Sequence, residues 1–230
     1  MTVSRGETLL LTIAIPVVLL VFFSLVHVTA SPTPRRINFL APGILALCVI
    51  STSLVALSIA TGFERSFGVL RRLHVTPLGR RRLISAKVAA VLVTEVLQVL
   101  VVALVALALH WRPHHQVVSA LESLALLLLA TFGLAGIGLA LAGRLRAEVN
   151  LAATNGLYLV LLLLSGIVVP ASSLPATIQR VMVALPSGAL AQGLHRVLEL
   201  GLAPSGTDWI TLVTWAVLAP LLAARTFRFD

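Results

Sequence analysis

Charged residues are scarce in this chain, and their scarcity excludes an ordinary soluble domain. Only 11% of the 230 residues are Asp, Glu, Lys or Arg, whereas 59% are hydrophobic. A soluble globular domain carries about 25% charged and about 45–50% apolar residues. A chain of this length cannot hide the surplus apolar side chains in a water-soluble core. The composition therefore indicates a protein whose solvent is the lipid bilayer.

Cysteine is nearly absent, and metal-binding clusters and nucleotide-binding motifs are missing. Cys48 is the only cysteine, so no intrachain disulfide can form, and its apolar surroundings predict a buried, inert thiol. His110, His114 and His115 cluster without a cysteine or carboxylate at ligand spacing, so no metal site is predicted. No Gly-x-x-x-x-Gly-Lys-Ser/Thr loop occurs. We therefore expect no catalytic residue and no ATPase activity in this chain alone.

The net charge of +9 comes from Arg and Lys residues that lie between the apolar runs. This placement predicts topology determinants and contacts with lipid headgroups, and it disfavours nucleic acid as a partner. Most of these residues share one side of the membrane when the N-terminus is placed in the cytoplasm. We therefore predict that both termini are cytoplasmic.

Six apolar runs approach the length of about 20 residues that a spanning helix needs. The first is followed by no clear cleavage site, so we interpret it as a span rather than a signal peptide. Four glycines at the fourth run permit close helix packing: Gly133, Gly136, Gly138 and Gly143. The predicted fold class is an all-α membrane protein with six transmembrane helices, at about 8–28, 39–61, 88–109, 117–142, 151–169 and 209–224.

The segment between the second and third runs, Gly62 to Lys87, is longer than a simple turn needs. Its first part predicts a short amphipathic helix over about Phe63 to Leu73, which ends before Thr76 and Pro77. Phe and Leu alternate there with charged residues: Phe63, Phe67, Leu70 and Leu73 against Glu64, Arg65, Arg71 and Arg72. Two interpretations stay open, an interfacial helix on anionic lipid or a helix that docks into a cytoplasmic partner.

A second long connection, from Pro170 to Asp208, precedes the last run. Pro175 suits a first helical turn, and Pro186 interrupts the helical pattern. Neither piece is long enough to span the bilayer, so we predict a re-entrant helical hairpin on the extracytoplasmic side. The alternative is a plain surface loop.

Four polar residues inside or beside the predicted spans are candidates for the transport pathway. Glu95 and Gln98 share one face of the third span, and Asn150 and Asn155 stand at the start of the fifth. For Glu95 and Gln98, a structural hydrogen bond to a neighbouring helix is the alternative.

Both long connections resemble segments of the ABC-2 type permeases, the membrane subunits of type V ATP-binding-cassette exporters. Phe63 departs from the family pattern, which often has an acidic residue there. The residues that carry the resemblance are Glu64, Arg65, Gly68, Leu73, Thr76, Pro77, Leu78 and Lys87 in the first segment, and Ser165, Gly166, Pro170, Leu174, Pro175 and Pro186 in the second.

The resemblance implies that the first segment is a coupling helix seated in a cleft of a cytoplasmic ATPase subunit. That partner would bind ATP and Mg, and this chain would bind no cofactor. The coupling residues would be Phe63, Glu64, Arg65, Phe67, Gly68, Leu70, Arg71, Arg72 and Leu73.

The resemblance also implies a single transmembrane domain over residues 1–230, in the cell membrane, paired with a second copy or a related permease. The Ala/Leu/Arg-rich style is closest to actinobacterial drug exporters of the daunorubicin-resistance type. The scarcity of aromatic residues favours hydrophobic or amphipathic cargo, such as a drug, a natural product or a lipid. A polysaccharide or glycolipid exporter stays open, as does a non-transporting membrane partner or assembly factor that docks an ATPase.

Overall fold

The computed structural model describes residues 3–25, 36–69, 79–114, 116–167 and 175–226, and its regular structure in those ranges is entirely helical. The helices, numbered in chain order, are α1 (Val3–Leu25), α2 (Arg36–Ser66), α3 (Gly79–Ala108), α4 (Val117–Ala142), α5 (Ala147–Leu163), α6 (Ala176–Ala184), α7 (Pro186–Leu194) and α8 (Gly206–Thr226).

The helices confirm an α-helical membrane protein. Within the described residues, α2, α3, α4 and α8 are long and apolar enough to cross a bilayer, and α1 and α5 contain shorter apolar stretches. The fourth predicted span, 117–142, has the bounds of α4. The others differ at their ends, and a count of six spans stays a prediction.

The predicted end of the fifth span at residue 169 is wrong, because α5 ends at Leu163. Gly166 has a φ of 77°, a left-handed conformation that glycine adopts without a steric penalty. The Ser165 hydroxyl donates to Leu162 O at 2.6 Å and accepts from the Ile167 amide at 3.2 Å. The Ser-Gly pair therefore turns the chain away from the helix.

α2 is the central helix of the bundle. Nearly every residue from Ile37 to Leu54 is buried, and Cys48 is completely buried, as predicted. A helix that is apolar on all faces must be surrounded by other helices, and α1, α3, α4, α5 and α7 all pack against it. Its middle, Ile50–Ala56, is π-helical, a local widening that is frequent at functional positions.

α4 and α8 pack with their backbones almost in contact at Gly136, which confirms the role predicted for this glycine of the fourth run. A Cβ atom on Gly136 would lie 2.4 Å from the nitrogen of Pro220 and 2.5 Å from the carbonyl carbon of Ala219. Only a residue without a side chain allows this approach.

A reciprocal capping box fixes the start of α8. The Asp208 carboxylate accepts from the Ser205 amide at 2.9 Å, and the Ser205 hydroxyl accepts from the Asp208 amide at 3.2 Å. This pairing satisfies two amides that the first helical turn would otherwise leave without partners. α8 therefore begins before the predicted position 209 and has 21 residues.

Candidate functional site

We call the end of the bundle that carries Ser66, Lys87 and Leu145 the coupling end. Here the start predicted for the amphipathic helix is wrong, because Phe63 to Ser66 form the last turn of α2. Gly68 has a φ of 70° and interrupts the helix. The Phe67 and Gly68 amides close its end by donating to Phe63 O and Arg65 O.

The rest of that prediction lies outside the described residues, so its helical structure stays a prediction. These positions are Leu70, Arg71, Arg72, Leu73, Thr76 and Pro77, and Pro170 of the second segment is also outside.

Two charged residues in the last turn of α2 connect this helix to neighbouring elements at the coupling end. Glu64 forms an ion pair with Lys87 of α3, although 23 residues separate them in sequence. Arg65 donates from Nη2 to the Leu145 carbonyl at 2.7 Å, in the connection between α4 and α5. The end of α2 is therefore fixed both to α3 and to the α4–α5 loop.

The aromatic residues of this turn present an apolar surface. The rings of Phe63 and Phe67 stack with centroids 6.1 Å apart, and Phe67 is 73% exposed. A large exposed aromatic ring on a braced helix end is typical of an interaction site.

A polar layer crosses the middle of the bundle. The Gln98 side chain is fully buried, accepts from the Thr52 hydroxyl at 2.7 Å and donates to Thr12 O at 2.8 Å. Glu95 Oε2 lies 2.6 Å from the Thr131 hydroxyl, whereas Oε1 has no partner among the described residues. The two predicted candidates are therefore buried together, and they join α3 to α1, α2 and α4.

Asn150 and Asn155, predicted as a pair, occupy opposite environments. Asn150 is fully buried, accepts from the Ser58 hydroxyl and donates to the Ser58 carbonyl, both at 3.0 Å. Ser58 also contacts the Thr154 hydroxyl at 3.0 Å. Asn155 is exposed and donates only within its own helix, to Leu151 O. Asn150 therefore joins α5 to α2 by hydrogen bonds, and Asn155 does not.

The opposite end of the bundle, the hairpin end, contains the two short helices that were predicted. Pro175 precedes α6, and Pro186 is the first residue of α7, so the predicted break at Pro186 is confirmed. The Ser187 hydroxyl donates to Leu161 O at 3.2 Å, and the Trp215 indole donates to Ala184 O at 3.0 Å. α5 and α8 therefore hold the hairpin in place.

An apolar cavity of about 260 Å³ lies at the hairpin end between α1, α2 and α5. Among its described lining residues, only Tyr158 has a polar side-chain atom. The lining residues are Leu19, Phe23, Phe39, Leu40, Ile44, Leu47, Tyr158, Leu162 and Ile167.

Residues 2–197 match the family model of the ABC-2 type transporter. The chain belongs to the ABC-2 type transporter family. It is therefore an integral membrane protein and the membrane domain of a transporter. No curated protein matches it significantly.

In this ABC-2 type transporter, several hydrogen-bond partners of the polar candidates could not be identified from the sequence. Ser and Thr are common in membrane helices, so nothing marked Thr52, Ser58 and Thr131 as the partners of the polar candidates. The hydrogen bond between His195 Nδ1 and Glu199 Oε2, at 2.9 Å in the π-helical segment His195–Glu199 that continues α7, was also missed. Its signal was the spacing of four residues, which places both side chains on one helix face.

Replacing Glu64 by lysine is expected to weaken the coupling end of this ABC-2 type transporter. Lys87 is only 14% exposed, so the change would set two cations together where little water can screen them. We expect a loss of about 1–2 kcal/mol, between the values for exposed and buried pairs. The measurement is thermal unfolding in detergent. The double variant Glu64→Lys, Lys87→Glu should recover most of the loss, and no recovery would contradict the pairing.

Replacing Asn150 by leucine is expected to destabilise the bundle, and Asn155→Leu on the same helix is the matched control. The first change leaves the polar groups of Ser58 buried without their partner, at a cost of about 1–3 kcal/mol. The second removes one exposed hydrogen bond within a helix and should be nearly neutral. The unfolding temperatures of the two variants are compared. Equal effects would contradict the role of Asn150 in joining α5 to α2.

Proposed function

We propose that this chain is the permease subunit of an ATP-driven exporter, powered by a separate ATP-binding-cassette ATPase. The family membership over residues 2–197 carries the proposal. ATP and Mg bind to the ATPase. The partner permease is a second copy or a related chain, and the complex lies in the cell membrane with both termini of this chain in the cytoplasm.

The coupling end is the proposed contact with the ATPase. Phe67 offers an exposed aromatic anchor, and the Glu64–Lys87 pair and the Arg65–Leu145 bond brace the turn behind it. A displacement of Phe67 by the ATPase would therefore move α2, α3 and the α4–α5 loop together. A braced contact of this kind transmits rigid-body movement when two ATPase subunits close on ATP.

The cavity at the hairpin end supports hydrophobic or amphipathic cargo. α2 contributes Phe39, Leu40, Ile44 and Leu47 to the cavity and ends in the proposed ATPase contact. A movement of α2 would change both sites at once. The apolar lining suits a drug, a natural product or a lipid, as in the daunorubicin-resistance type of exporter, better than a polysaccharide.

Co-expression with a candidate ATPase tests this proposal. We expect the two chains to co-purify and ATP turnover to exceed that of the ATPase alone and to respond to hydrophobic compounds. A catalytically inactive ATPase is the control for contaminating hydrolysis. If no ATP-binding-cassette ATPase associates with the chain, the proposal fails.

The second candidate is a non-transporting membrane partner that only anchors an ATPase. The contacts that fix the coupling end would suit a site that only anchors an ATPase as well as a site that transmits its movement. This alternative predicts a stable complex in which ATP turnover does not respond to any hydrophobic compound.

A further inference from the structure

A groove of about 330 Å³ runs between α4 and α8 toward the coupling end. Its walls are mostly apolar, and it ends at two polar residues, Arg144 and Thr226. The lining residues are Ile137, Ala140, Leu141, Arg144, Trp215, Ala219, Leu222 and Thr226. Small side chains at Ala140 and Ala219 leave the space beside the closely packed helices.

The two polar residues at this end of the groove lack partners within the described part of the chain. Arg144 is exposed and forms no ion pair there. The Thr226 hydroxyl oxygen is buried and has no hydrogen-bond partner. A buried hydroxyl without a partner costs free energy, which a ligand with acceptor oxygens would recover.

We propose that this groove binds an anionic phospholipid of the leaflet next to the coupling end. One acyl chain lies along the apolar walls, the phosphate contacts the Arg144 guanidinium, and a headgroup or ester oxygen accepts from the Thr226 hydroxyl. Arginine binds phosphate oxygens through planar, directional hydrogen bonds. A basic residue at the membrane surface also attracts anionic lipid electrostatically.

A larger apolar groove between α3, α4 and α8 serves as an internal comparison. It has a volume of about 660 Å³, and its described lining includes Ser85 and Pro220 but no charged residue. The described lining of that groove therefore provides no cation that would select a headgroup. Of these two grooves, the one that ends at Arg144 brings apolar walls and a described cation together.

Quenching of Trp215 fluorescence by brominated lipid tests the proposal, because Trp215 lines the groove. The full-length chain with Trp111→Phe and Trp209→Phe is placed in vesicles of brominated phosphatidylglycerol, brominated phosphatidylcholine, or mixtures of the two. We expect about a fivefold preference for phosphatidylglycerol, the effect of one arginine at a membrane surface. If this background does not fold, native mass spectrometry of the wild-type chain compares retention of the same two lipids.

Variants assign the preference to the groove. Arg144→Gln should abolish it, whereas Arg146→Gln, an exposed arginine two residues away and outside the groove, should leave it unchanged. Ala140→Phe should fill the groove and reduce quenching by both lipids. Equal quenching by the two lipids, or a preference that survives Arg144→Gln, would overturn the proposal.

Two further outcomes would also overturn it. Displacement of the lipid by free glycerol phosphate would show that the site binds a soluble phosphate ester rather than a lipid. Absence of quenching by either lipid would show that a second copy or another helix covers the groove. Neither outcome would affect the proposed export function, which rests on the coupling end and the family.

Discussion

Gly136→Leu is expected to prevent the membrane domain from folding into a stable bundle. The added side chain would meet the backbone of Ala219 and Pro220, whose atoms lie within 2.5 Å of the position of a new Cβ. The backbone of α8 cannot yield as a flexible side chain could. We therefore expect a cost at or above the upper end of the usual range for overpacking, about 1–3 kcal/mol. The measurement is the monodisperse yield after size-exclusion chromatography, together with thermal unfolding.

Gly156→Leu is the matched control for this change. Gly156 is exposed on α5, and nothing lies within 4 Å of the position of its Cβ. Replacing a helical glycine there removes an unfavourable helix former, so the variant should be at least as stable as the wild type. A Gly136→Leu protein with normal yield and unfolding temperature would contradict the close contact of α4 with α8.

Phe67→Ala is expected to break the complex with the ATPase while the membrane domain stays folded. Phe67 is 73% exposed, so its removal costs the isolated chain little. An aromatic residue that anchors an interface contributes about 2 kcal/mol or more, which corresponds to at least about 30-fold weaker binding. The measurement is binding of the purified ATPase to the chain in detergent, with ATP turnover of the complex as a second readout.

Phe22→Ala is the matched control, since Phe22 is an exposed phenylalanine of α1, 49% accessible and outside the coupling end. We expect it to retain full ATPase binding. If Phe67→Ala binds as tightly as Phe22→Ala does, the coupling end is not the docking site. The interfacial helix on anionic lipid would then be the better interpretation of this segment.

The helical class could be predicted from composition, because a chain with so few charges must place its apolar residues in lipid or in contact with each other. The bounds of α4 were predictable because Gln116 precedes a long, mostly apolar run that Gly143 follows. The end of α5 and the start of α8 were not predictable, because a Ser-Gly turn fixes the first and a capping box fixes the second. These local hydrogen bonds leave no mark on hydropathy.

The coupling end shows a different limit. The spacing of Phe63, Phe67 and Leu70 is helical, and periodicity alone could not place a break at Gly68. A glycine is tolerated inside a helix, so its left-handed conformation follows from tertiary structure rather than from the pattern. The pairing of Glu64 with Lys87 was also beyond the sequence, because it depends on how α2 and α3 pack.

Two of the polar candidates, Asn150 and Asn155, differ in burial in a way that the sequence did not indicate. Asn150 and Asn155 were equivalent by position and type, but five residues along a helix turn the side chain by more than a third of a circle. Asn150 consequently faces α2, and Asn155 faces outward. Roles for Glu95, Gln98, Asn150 and Asn155 in a transport pathway stay predictions.

ATP-driven transport in reconstituted vesicles would test whether this chain exports hydrophobic or amphipathic compounds. The chain and its ATPase would be placed in proteoliposomes, and movement of a fluorescent hydrophobic compound would be followed after addition of ATP. We expect movement that requires ATP hydrolysis and disappears in the Phe67→Ala variant. ATP hydrolysis by an intact complex without movement of any hydrophobic or amphipathic compound would contradict it and favour the non-transporting partner.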